Sequence, residues 1–348
     1  MSPISGGIGN VIASPELVEM AMAYSRSRIV CAAARLGIAD ALGSEERSVE
    51  DLAAACGADA QALYRLLRAL AGLGITAEVS PRRFVLSAFG QPLRKDHPNS
   101  AWAGVIFWAD LLADSWSYLT ECVRSGKTAA KIMEGNGVAT RWSSDPDASA
   151  IFRAVMGTAP VADYMPIVNN WDFSGRKTVA DLGGGGGSLI AAVLSSNPHL
   201  NGLLVDRPES IEAARPRFAS SELGHRCRLI AADLRSDALP SADVYLLKHV
   251  LHGYDDAVAI ELLRNCRKAL DASGCVLVIE FLLPDIISAP DPALQSRLMS
   301  DLNMLAVTGS KERSAAEWST LFEASGFLIG KIIPVAELNI SIVEAWPA

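Results

Sequence analysis

The chain has 348 residues, half of them hydrophobic, enough for two domains with buried cores and too apolar for a disordered chain. Its formal charge of −8 disfavours a protein whose work is neutralising nucleic-acid phosphates or an anionic membrane. Six cysteines, at 31, 56, 122, 227, 266 and 275, form neither a C-x-x-C pair nor a zinc-ligand spacing, and no secretory leader pattern or membrane-length apolar run is seen. Reduced thiols and a cytoplasmic location are therefore expected.

From about Glu16 to Leu70 apolar residues recur at intervals of three and four, which predicts helices broken at Gly37, Gly43 and Gly57. Within this stretch SVEDLAAACGADAQALYRLLRALAGLG predicts helix, turn and helix, with Ser48 capping the first and the Gly57–Asp59 turn supplying the next cap. ITAEVSPRRFVLSAFG then predicts two short strands around a Pro-Arg turn, completing a winged-helix pattern over residues 1–100. Residues 101–170, with tryptophans at 102, 108, 116 and 142 and breaks at Gly126, Gly135 and Gly137, are expected to be a helical connector.

After Trp171 the texture changes. TVADL, GLLVD, RLIAAD, DVYLLKHV and CVLVIEFLL alternate with helical stretches, which predicts a doubly wound parallel sheet over 171–348. The last segment, FLIGKIIPVAELNISIVEAW, holds two strands that can pair as an edge hairpin. The fold class is thus α/β, with a Rossmann-like sheet behind a mostly helical N-terminal domain.

Five glycines, Gly183 to Gly187, stand where the first strand of that sheet turns into a helix, a place where a ligand can approach bare backbone. The dinucleotide pattern G-x-G-x-x-G is not met from Gly183, Gly184 or Gly185, because the last position falls on Ser188, Leu189 or Ile190. What is present is acid-x-G-x-G-x-G, with Asp181 before Gly183, Gly185 and Gly187. A pyrophosphate wants amides alone, whereas the sulfonium and ammonium of S-adenosylmethionine favour a nearby carboxylate. Asp206 ends the second strand at the spacing from which an acid reaches ribose hydroxyls, and Asp233, after the third, can face an adenine edge. Each could equally be a solvated loop acid or a helix cap. Three acids at three successive strand ends favour the cofactor reading, because ligands of open α/β sheets sit at the carboxyl ends of strands.

LLKHVLHGYDD ends the fourth strand and starts a helix with Asp255 as its cap, so His252 falls on the loop beside the expected cleft. A base there would help a phenol, whose pKa near 10 costs roughly 4 kcal/mol for ionisation at neutral pH. His249 and His252 also form H-x-x-H, but no further metal ligand is evident in the sequence, so His249 is expected to be a core or wall residue and no metal is expected.

The ordered strings DLGGGGGSL, LLVDRPE, AADLRSD, LLKHVLHGYDD, VIEFLLPD and DLNMLAVTGSKERSAAEW, with the closing hairpin, resemble the caffeate- and acetylserotonin-type O-methyltransferase family and its bacterial relatives in antibiotic biosynthesis, over nearly the whole chain. The resemblance implies an N-terminal dimerisation domain, a homodimer, and cofactor contacts from Gly183, Gly185, Asp206, Asp233, Leu234 and Lys248, with S-adenosylhomocysteine as product. It also implies that His252 is the base, oriented by Glu280 and Glu312, although without it Glu280 reads equally as a strand-end acid and Glu312 as a helix-start charge. Gly253-Tyr254 departs from the Asp-Trp of many relatives. Trp108, Phe152, Met156, Asn303 and Met304 could line a pocket for a flat aromatic acceptor, though such residues at helical spacing are more often core.

Two other classes of protein share parts of this pattern. A winged helix commonly reads DNA, but residues 1–100 carry ten Lys plus Arg against ten Asp plus Glu, where a groove reader would be basic. A methyltransferase acting on carbon or nitrogen, or a relative using the cofactor otherwise, would share the same cofactor site.

Overall fold

In a computed structural model, residues 15–133, 145–157, 160–219 and 221–348 are described; Trp142, Gly135 and Gly137 lie outside them. The described residues cluster into two units, one ending at Ala113 and the other running from Asp114 to Ala348.

The first unit opens with the helix Pro15–Arg35, whose first turns leave Leu17, Met20, Met22 and Tyr24 exposed. The helix Val49–Cys56 begins where Ser48 Oγ accepts the Asp51 N–H and stops at Gly57, held at φ 63°. Asp59 then accepts the Ala62 N–H to start Ala60–Gly72, which buries Leu63, Leu67 and Leu70 on one face. Strands β1 (Arg47–Ser48), β2 (Thr76–Ser80) and β3 (Arg83–Leu86) form an antiparallel sheet in the order β1-β3-β2, so the wing gains a short strand beyond the expected pair. Helical turns from Trp102 to Leu111 fold back onto the first helix, where Trp102 Nε1 donates to the Ala34 carbonyl at 3.1 Å.

The second unit is organised by β4 (Thr178–Leu182), β5 (Asn201–Asp206), β6 (Cys227–Ala231), β7 (Ala242–Lys248), β8 (Leu270–Glu280), β11 (Phe327–Val335) and β12 (Ile340–Pro347), ordered β11-β12-β8-β7-β4-β5-β6. The first five are parallel, and the closing hairpin adds β12 and β11 antiparallel at one edge. Both faces are covered, and the side-chain period of two divides each strand between them. On β8, Cys275, Leu277 and Ile279 join one core while Val276 and Val278 join the other. Strand order reverses between β4 and β7, which opens a crevice at their carboxyl ends.

The segment CVLVIEFLL is not one strand. It leaves the sheet after Glu280, and β9 (Leu282–Leu283) pairs in parallel with β10 (Arg313–Ser314). This two-residue pairing carries the Lys311-Glu312-Arg313 string to the end of β8. No described helix is long and apolar enough to cross a membrane, and all six cysteines are free.

Candidate active site

The glycine loop explains its own spacing. Gly183, Gly185 and Gly187 have φ values of 71°, 55° and 75°, a left-handed region that side chains disfavour. A Cβ on Gly183 would lie 2.8 Å from Val250 Cγ2 and 3.7 Å from Leu234 Cδ1, so the loop that leads to His252 packs directly on this turn. The Gly185 N–H donates to Asp206 Oδ2 at 2.8 Å, which ties the turn to the end of β5.

Asp181 is 1% exposed and its Oδ2 has no hydrogen-bond partner. Burial raises its pKa to about 7 against the pull of Lys248, with Asp206 adding to the rise. Lys248 ends β7, its ammonium 5.4 Å from the centre of the Tyr164 ring; burial lowers its pKa while Asp181 and Glu280 oppose that. Asp233 is engaged locally by Arg235 at 2.9 Å, which with the Arg235 N–H pulls its pKa down to about 2. Leu234 is buried and its carbonyl accepts from Asn265.

On the other side of Lys248 the chain makes a short turn, Leu251–Gly253, before the Asp255-capped helix Asp256–Ala269. Three groups fix that turn. Fully buried Arg313 donates to the Leu251 and Tyr254 carbonyls, each at 3.0 Å, and pairs with Asp256. Ser310 Oγ donates to the His252 carbonyl. Glu280 Oε1 accepts the N–H groups of Val250, Leu251 and His252 at 3.0, 3.1 and 3.4 Å. At Gly253-Tyr254, where the sequence departs from the family pattern, the backbone carbonyl of Tyr254 still anchors to Arg313.

The side-chain constellation forms beneath the turn. His252 Nδ1 stands 2.9 Å from Glu312 Oε1 and 3.5 Å from Glu280 Oε2, and Glu312 Oε1 also accepts from Ser300 Oγ at 2.7 Å. The Glu312 N–H donates to Asp301 Oδ1. A proton on Nδ1 directed at Glu312 leaves Nε2 as the reactive nitrogen. Burial disfavours the imidazolium, but the charge of Glu280 with the hydrogen bond and charge of Glu312 outweighs it and raises the His252 pKa to about 9. Sequence reasoning missed Ser300, Asp301, Ser310 and Arg313, which carry no pattern of their own. His249, expected to be a core or wall residue, has its Nδ1 3.0 Å from Glu280 Oε2, a partner the sequence did not announce.

Among the residues proposed for an acceptor pocket, Asn303 is buried with its Oδ1 accepting from Trp116 Nε1 at 3.2 Å, and Met304 lies next to it on the helix Pro292–Val307. Phe152 and Met156 share the helix Pro146–Gly157, with Met156 exposed. Trp108, in the first unit, is exposed and makes an edge contact with Phe107.

The fold and this site define a methyltransferase. The chain belongs to the O-methyltransferase family: residues 116–328 match its O-methyltransferase domain and residues 18–93 its dimerisation domain. It is 35% identical to the phenazine O-methyltransferase PhzM of Lysobacter antibioticus, with 97% of this chain and 98% of that relative covered. Phenazine-1-carboxylate N-methyltransferase of Pseudomonas aeruginosa is 31% identical over the same shares of the two chains. The O-methyltransferase NcsB1 from neocarzinostatin biosynthesis, solved with S-adenosylmethionine and 2-hydroxy-5-methyl naphthoic acid, superposes with a TM-score of 0.79 at 31% identity, covering 93% of this chain and 96% of that one. The protein is accordingly an S-adenosylmethionine-dependent methyltransferase. Its residues fit that cofactor: the turn of left-handed glycines presents bare backbone, and Asp181 Oδ2 is a buried acceptor atom without a partner.

Proposed function

We propose that the enzyme methylates a phenolic hydroxyl of a small aromatic compound in secondary metabolism, with His252 as general base. The observation that carries this reading is the 2.9 Å contact of His252 Nδ1 with Glu312, which leaves Nε2 free to act as the proton acceptor. Asp181, Gly183, Gly185, Asp206, Asp233, Leu234 and Lys248 would hold the cofactor. S-adenosylmethionine, when bound, supplies an electrophilic methyl group on a sulfonium sulfur.

His252 takes the phenol proton as the oxygen becomes nucleophilic. With the histidine at about 9 and a phenol near 10, the transfer is uphill by only about 1.4 kcal/mol. Glu312 and Glu280 hold the ring in one orientation and stabilise its charged form, which returns its proton to solvent after turnover. Phe152, Met156, Asn303 and Met304 are proposed to contact the acceptor. The exposed apolar residues of the first helix support a homodimer formed through residues 12–110, six free thiols support a cytoplasmic setting, and the net charge of −8 supports a partner other than nucleic acid or an anionic membrane.

The test uses labelled cofactor and matched aromatic acceptors that differ only in carrying a hydroxyl or an amino group. A methyl ether from the phenol is expected; N-methylated product from the amine with none from the phenol overturns the reading.

A further inference from the structure

We propose that His249, His252 and Glu280 form a binding site for a transition-metal dication of the zinc class, and that its occupancy shuts methyl transfer off. The three candidate ligand atoms lie within 4.8 Å of one another. Glu280 Oε2 is 3.0 Å from His249 Nδ1 and 3.5 Å from His252 Nδ1. Ligands about 2.0–2.1 Å from one tetrahedral zinc ion stand about 3.3 Å apart, so these two separations already bracket what coordination asks for. Two imidazoles with one carboxylate are a donor set that zinc favours over magnesium or calcium.

Charge points the same way. Glu280 and Glu312 are two carboxylates buried within reach of the same imidazole, and Glu312 Oε2 has no hydrogen-bond partner. A dication there would give both carboxylates a partner, working against the nearby charge of Lys248. Glu312 is then placed as a fourth ligand or as the acceptor that steadies one. Both histidines are largely buried, but their side chains keep 27% and 16% of their surface exposed, enough for a small ion to reach a ring edge. His249 holds φ at 52°, an uncommon conformation for a residue with a side chain, while its N–H bonds the Ile279 carbonyl at 3.1 Å.

The ion and the base cannot share His252. Coordination takes the lone pair of Nδ1: the imidazolium loses its Nδ1 proton to solvent, the neutral ring shifts that proton through solvent to Nε2, and in either case the metal-bound ring carries Nε2–H and has no acceptor to offer a hydroxyl. Nothing is oxidised or reduced. The inhibitory half of this inference rests on His252 being the base, whereas the binding half does not.

The experiment titrates the full-length protein with cobalt(II) alone, reading visible d–d absorption, and with zinc, reading turnover before and after EDTA. Tetrahedral-type cobalt bands are expected in the wild type and their loss in His249→Asn, because Asn tolerates the left-handed backbone while removing the ring. His249→Phe, which keeps an aromatic ring near Phe281, repeats the test if the first variant does not fold. Zinc should suppress wild-type turnover reversibly and spare the His249 variant, each measured against its own zinc-free rate. Absence of cobalt bands in the wild type, or bands that survive both substitutions, overturns the site. Bands that depend on His249 with turnover untouched by zinc uphold the site and overturn His252 as the base.

Discussion

Glu312 and His252 are sixty positions apart in the chain, yet a carboxylate oxygen of one lies 2.9 Å from Nδ1 of the other. The contact gives the two residues unequal tasks that substitution separates. His252→Ala should lower kcat by about 10²–10⁴-fold while leaving cofactor affinity nearly intact. Glu312→Gln and Glu280→Gln should each cost less, because they orient the ring without accepting the proton. Steady-state kinetics with calorimetry decide it; near-normal turnover in the His252 variant would sink the proposed mechanism.

The pH profile follows from the same pair. Since His252 titrates near 9, its neutral form is about one part in a hundred at pH 7, and kcat should climb with pH until about 9. Removing the Glu312 charge destabilises the imidazolium, so Glu312→Gln should move the limb to lower pH. The raised pKa also means that the ion pair stabilises the fold fully below about 6.5, a contribution lost as pH rises through about 9.

Asp181 has the opposite balance of costs. An acid raised from 3.8 to about 7 by burial is a liability once it must ionise, a penalty that grows between those pH values and reaches on the order of 4 kcal/mol above them. Asp181→Asn should therefore raise the melting temperature of the ligand-free protein at pH 8 much more than at pH 5, while weakening S-adenosylmethionine binding. Equal shifts at both pH values would contradict the assignment of this carboxylate as one whose ionisation burial opposes.

Asp206 anchors the glycine turn through Gly185. Asp206→Ala should weaken cofactor binding by about tenfold or more, since it removes a proposed ribose contact together with that anchor. Calorimetry should show no comparable binding of NAD to the wild type.

For the assembly, light scattering at micromolar concentration should report a dimer. Charges introduced by Leu17→Glu with Met20→Glu should shift it toward monomer, because both side chains are exposed on the first helix. A dimer that ignores both substitutions would place the interface elsewhere.

Much of this molecule was legible in its sequence where the cause is local. Ser48, Asp59 and Asp255 all cap the helices that their positions announced, and the acid-x-G-x-G-x-G pattern coincides with three left-handed glycines. Contacts made across the fold left no such trace. Glu312 looks like a helix-start charge until β9 and β10 pair, and His249 has no visible partner until β8 delivers Glu280 beneath it. Only the resemblance to a family pointed at Glu280 and Glu312. Nothing in the sequence pointed at Arg313, whose partners are backbone carbonyls and an acid of the adjoining turn and helix.

The pairing of β9 with β10 works as a clasp. Leu282 and Leu283 are held beside Arg313 and Ser314, so everything from Pro284 to Glu312 is a loop of chain closed at its neck. Within it, Ser300 and Asp301 reach back to Glu312, while Asn303 and Met304 sit about one helical turn further on. The stretch ahead of the helix Pro292–Val307 can be lengthened or rewritten without touching Ser300, Asp301 or the clasp, and so without moving either carboxylate at the neck. Asn303 and Met304 have no such freedom: they share a helix with the two residues that hold Glu312, so a change of side chains there is felt at the proton-handling end as well.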